Sequence, residues 1–177
     1  MKAIAKRNRT INGSIALPEG SISGQGQGSV SELRFGLYRM SYNGCGAIAL
    51  YNALRMCGEQ PDLRDIALAL EPHLVLLGTF GVHPDGMGKA IHALSHPYLR
   101  LASYDEFTRA LARHRVFILC FWTKRPWCSS SHFIAFERKS DGYEVHNLYN
   151  NILAPMKIAD MTAVCSRRQF IRAYVLE

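Results

Sequence analysis

The chain changes its hydrophobic period near residue 115, and that change limits it to a small set of folds. Before that point, apolar residues recur at helical spacing. After it come short runs rich in β-branched and aromatic residues. Starting at Cys45, Ala47, Leu50, Tyr51 and Leu54 share one helical face, and Gly58 stands where a left-handed C-terminal cap belongs. Pro61 opens a second helix, with Leu63, Ile66, Ala67 and Leu70 inward and Pro72 as its stop. A third follows HPDG, with Asp85 as cap and Met87, Ala90, Ile91 and Leu94 in register before Pro97. A fourth begins at Ser103, where Glu106 completes a capping box and Phe107, Ala110 and Leu111 face inward.

The run VFILCFW, residues 116–122, then reads as a fully buried strand. Residues 132–137 and 143–147 read as two further strands joined in a hairpin around Asp141–Gly142, and QFIRAYVL as a closing strand. Helices first and strands last predict an α+β fold, an N-terminal helical half packed on a C-terminal antiparallel sheet. Residues 148–168 carry no pattern that assigns them.

The length of 177 residues suits one domain with its own core. Residues 1–31, basic at first and then rich in Gly and Ser, read as a flexible lead-in to a single domain at 32–177, with order beginning near Leu33. No apolar run reaches membrane-spanning length, and no apolar stretch follows the basic start as in a secretory signal, so a cytoplasmic protein is expected. The net charge of +7 favours an anionic partner. Its sources (KRNR at the start, Arg113 and Arg115, Lys124–Arg125, Arg167–Arg168) are scattered, with no aromatic-interleaved stripe. That distribution speaks for solvated faces and against a nucleic-acid partner, and it leaves an acidic peptide as the anionic candidate.

Five cysteines without a CxxC pair argue against a disulfide framework and against a cysteine-rich zinc site. His92 and His96 lie one helical turn apart, but no third ligand accompanies them, so no metal is expected. GVHPDGMG lacks the Lys-Ser/Thr of a phosphate loop, and no cofactor is expected either.

Cys45 differs from the other cysteines because it sits in NGCG at a helix start. A thiol attacks as its anion, and the unpaired N–H groups and positive dipole end of a first helical turn stabilise that anion. Gly44 and Gly46 would let a substrate backbone approach the sulfur. His132, at the start of one predicted strand, can serve as base, and Asn147, at the end of its hairpin neighbour, can orient the ring. His146 lies beside Asn147, but strand alternation points it to the opposite face.

In this order, NGCGAIALYNAL followed by HFIAFERKSDGYEVHNLYNN resembles the papain-like cysteine peptidases, closest to the bacterial peptidases that process double-glycine leader peptides. The similarity spans residues 42–147. It implies a helical half carrying the nucleophile Cys45 and a sheet carrying the base His132 and the orienting Asn147. The family's oxyanion-hole Gln, about six residues before the Cys, is replaced here by Arg39, which leaves Asn43 as the nearest amide side chain for that role. The implied reaction is peptide-bond cleavage through an acyl-thioester, with a peptide or protein as substrate. An amidase, deamidase or acyl transferase using the same groups, and a non-catalytic peptide-binding relative, stay open beside it.

Overall fold

A strand with both faces covered sits near the middle of the molecule, and the other elements are arranged around it. The structure, a computed structural model, describes residues 2–123 and 130–177. The Lys124–Arg125 pair and Cys128 lie outside the described residues. Within them the chain forms helices α1 (Lys2–Gly13), α2 (Met40–Asn43), α3 (Cys45–Met56), α4 (Leu63–Leu70), α5 (Pro84–Ala93) and α6 (Tyr104–Leu111). The strands are β1 (Arg34–Phe35), β2 (Tyr38–Arg39), β3 (Tyr98–Leu101), β4 (Val116–Thr123), β5 (Ser130–Lys139), β6 (Gly142–His146), β7 (Met156–Ile158) and β8 (Phe170–Leu176). β1 and β2 pair with each other, and the rest form an antiparallel sheet in the order β3-β8-β4-β5-β6-β7. The fold is α+β.

The unbroken apolar run of β4 has a simple cause. Val116, Ile118 and Cys120 join a core with α3, α4 and α5, while Phe117, Leu119 and Phe121 join a second core on the opposite face. That second core holds Phe107 and Leu111 of α6 together with Met161 and Cys165. Phe117 and Phe136 stack there at 4.9 Å, and the Phe107 ring meets both edge-on. The sheet is therefore covered on two sides, not only by the helical half. α6 crosses to the far face, and part of 148–168 packs beside it.

The helix ends follow local signals except at α4, which starts at Leu63 with Asp62 accepting from Arg64 N–H and not at Pro61, and at α5. Gly58 has a φ of 93°, its N–H donates to Arg55 O, and Glu59 N–H donates to Leu54 O, closing α3. Ser103 and Glu106 form the reciprocal capping box of α6. At α5 the cap is His83, whose Nδ1 accepts from Asp85 N–H, and not Asp85 itself, because Pro84 takes the first helical position.

The N-terminal expectation requires correction. Of residues 1–31, expected as a flexible lead-in, the described ones are built into the fold: Ile22 and Val30 join the core with α3, and α1, which carries no apolar stripe, is held through side-chain amides. Asn8 donates to Gly36 O and to the buried Glu71 carboxylate. Asn12 pairs with both main-chain groups of Arg34, at 2.7 and 2.9 Å. Among the described residues, no helix is long and apolar enough to cross a membrane.

Asn12→Ala leaves the Arg34 N–H and C=O without these partners, so it is predicted to cost about 1–3 kcal/mol of stability. For a chain of this size each kcal/mol lowers the melting temperature by roughly 2–4 °C. Thermal unfolding followed by circular dichroism measures this. An unchanged transition would mean that α1 is dispensable to the fold.

Candidate active site

Cys45 is the first residue of α3 and is half-buried. Its sulfur faces the His132 side chain, and the main-chain N–H groups of Gly46 and Phe133 are placed to favour its anion. Burial pushes the thiol pKa up. The His132 side chain, its imidazolium charge and the two N–H donors outweigh burial and hold the pKa below that of an ordinary cysteine. One of these donors comes from the first turn of α3 and the other from β5, so the sulfur lies where a helix start abuts a central strand.

His132, near the start of β5, is buried against the edge of the Phe121 ring at 6.1 Å. Its Nε2 lies 2.7 Å from the main-chain oxygen of Asn147. A carbonyl only accepts, so Nε2 carries the hydrogen. In the neutral ring Nδ1 then holds the lone pair that can take a proton from sulfur. The arrangement is a relay of thiol, imidazole and carbonyl, which can form a thiolate and hold the imidazolium made with it.

Cys45, His132 and Asn147 are brought together, but Asn147 contacts the ring through its main chain. Its side chain is engaged elsewhere: Oδ1 accepts from Gln25 N–H at 3.1 Å, and Nδ2 donates to Gln25 Oε1 at 3.0 Å. Asn147 has a φ of 58°, a left-handed conformation that Asn tolerates better than most residues. Gln25 is the member of this cluster that sequence reasoning missed. It lies in the Gly/Ser-rich stretch, and no local pattern marks it.

The oxyanion role expected of Asn43 is corrected by its hydrogen bonds. Nδ2 donates to Phe35 O at 3.1 Å and to Gly78 O at 2.9 Å, so both amide hydrogens are committed. Arg39 pairs with Glu32 at the surface. The two glycines around Cys45 also have a different cause from the one expected. A Cβ on Gly44 would fall within 2.5 Å of Met40, and one on Gly46 within 2.9 Å of Val82. Close packing around the start of α3 excludes side chains at both positions.

The histidines set aside in the sequence lie apart from the sulfur. The ring nitrogens of His146 face Ser23 and Glu144, and burial pushes its pKa down against the pull of that carboxylate. His96 donates to Pro97 O and faces Glu59, while His92 is exposed. Among the described residues, no group of three side chains could hold a metal. The chain matches no protein-family model, and no curated protein matches its sequence.

The other described cysteines are chemically quiet. Burial raises Cys57 even though Arg115 opposes it, raises Cys120 well above the ordinary range, and pushes Cys165 up to about 12. Near neutral pH, iodoacetamide is therefore predicted to label Cys45 first among these four, and to keep labelling it as the pH is lowered. Peptide mapping by mass spectrometry reads the order, and first modification at Cys57 would contradict it.

Proposed function

We propose that the protein is a papain-like cysteine peptidase that cleaves peptide bonds through an acyl-thioester on Cys45. The observation that carries this reading is a half-buried sulfur whose pKa is lowered by a histidine that is itself anchored on a carbonyl. Thiols and imidazoles with purely structural roles have no need of that sequence of contacts.

In the proposed cycle His132 holds the proton of Cys45, and the thiolate adds to the substrate carbonyl carbon. The C–N bond then breaks as the imidazolium gives its proton to the departing amine. Water, deprotonated by His132, attacks the thioester and releases the acid and the Cys45 thiol. Throughout, the Nε2–H keeps donating to the Asn147 carbonyl, so the ring keeps its orientation in both protonation states. With both Asn43 donors committed, stabilisation of the oxyanion falls to main-chain N–H groups at the start of α3. The charge of +7 favours acidic peptides, and a free nucleophilic thiol suits the reducing conditions of a cytoplasmic site of action.

Digestion of a peptide library tests the reading. New termini should appear with the wild type and vanish with Cys45→Ala, while His132→Ala lowers turnover by about 10²–10⁴-fold. Release of ammonia from intact peptides would instead mark an amidase, and no product of either kind would leave a binding protein. For cleaved acidic peptides, raising the salt concentration should raise KM, and a KM indifferent to salt would remove the charge preference.

A further inference from the structure

The chain between α1 and β1 crosses the site as a strap fixed on two sides. On the α3 side, Ile22 N–H donates to Asn52 Oδ1 at 2.8 Å, and Asn52 Nδ2 donates to Ile22 O at 2.7 Å. On the other side, Gly24 has a φ of 80°, and a Cβ there would fall 2.8 Å from Ile152 O. Gly26 N–H donates to Asn150 O at 3.1 Å. Gln25 lies between these anchors and is 2% exposed. Its main chain and side chain both grip the Asn147 amide, at 3.1 and 3.0 Å, and its Nε2 donates to Ser41 O of α2 at 3.3 Å.

We propose that Gln25 is a positioning residue for the reaction: it ties α2, just ahead of Cys45, to Asn147, and so holds the carbonyl that orients His132 against the sulfur. The inference rests on the reading of Cys45 as nucleophile. Its physical basis is that a carbonyl is aimed by its own backbone. At residue 147 that backbone is left-handed, one that Asn tolerates but does not by itself prefer, so the surroundings decide whether it is held. The paired amides enforce it, and both are buried, so breaking the pair would strand polar groups away from water. Without the pair, residue 147 relaxes toward ordinary backbone angles, its carbonyl leaves Nε2, and the imidazole loses its anchor. The Gln25 side chain also spans from strap to helix, so one residue bonds both the segment leading to Cys45 and the residue whose carbonyl holds His132. Among the described residues, the titratable groups facing Cys45 are His132 from β5 and Cys120 from β4, the latter kept neutral by burial.

The test is the pH profile of Cys45 carboxymethylation in the full chain, for the wild type, Gln25→Met, Asn147→Gly and the double variant. Glycine adopts a positive φ no more readily than other backbone angles, so without the amide that Gln25 grips nothing fixes its carbonyl. Gln25→Met should raise the midpoint by about one pH unit, which is roughly tenfold slower labelling at pH values below both midpoints. Asn147→Gly, which also loses the bond from the Gln25 main-chain N–H, should give at least as large a shift, and the double variant no more than Asn147→Gly alone, because the two residues act as one unit. An unchanged midpoint in folded Gln25→Met, or shifts that add in the double variant, would overturn the proposal. If Gln25→Met does not fold, Asn147→Gly is read alone, and an unchanged midpoint there overturns it equally. A wild-type midpoint like that of an ordinary thiol removes the nucleophile reading and this inference with it. A low midpoint with the expected shifts, but without peptide cleavage, leaves the inference standing and removes only the peptidase.

Discussion

One imidazole joins the two halves of this molecule. The His132 ring donates to the Asn147 carbonyl on one side and faces the Cys45 sulfur on the other, linking the end of β6 to the start of α3. Burial alone would keep the thiol protonated and inert, as it does for Cys120 and Cys165. The difference between Cys45 and its neighbours therefore lies in the partners around the sulfur. Those partners depend on the sheet: β4 and β5 pair along their length, Phe121 lies opposite His132 in register, and both faces are packed. A strand held this rigidly presents its first residues at a defined place, as a site dependent on sub-ångström geometry requires.

Much of this was legible in the chain because local rules and tertiary demands agree. The faces of α4 and α6 follow their apolar spacing, and Ser103 with Glu106 cap as their residue types dictate, whereas α3, expected to bury one face, is buried all round from Gly46 to Leu54. The run in β4 reads as a buried strand because neither of its faces needs polar residues. The order of Cys45, His132 and Asn147 along the chain was visible for a related reason: reactive residue types stand out at the edges of regular elements.

What was not legible depends on contacts distant in sequence. α1 has no apolar stripe, and its place is secured by Asn8 and Asn12 reaching Gly36, Glu71 and Arg34. The strap containing Gln25 is Gly- and Ser-rich, a composition that signals a linker until its partners on α3 and beyond β6 are known. The Asn147 role is hidden in another way. Its side chain invites comparison with an orienting amide, but the contact with the ring is made by a carbonyl that every residue has. Edge strands β3 and β7 are short and partly exposed, so their alternation is weak.

His132, and not the helix start alone, lowers the Cys45 pKa. Thiolate absorbance followed against pH, taken as the difference between wild type and Cys45→Ser, measures that pKa directly. The wild-type midpoint should lie below the ordinary thiol value of about 8.5, and that of His132→Ala above it, where burial acts without its main opponent. The same midpoint in both proteins would contradict it.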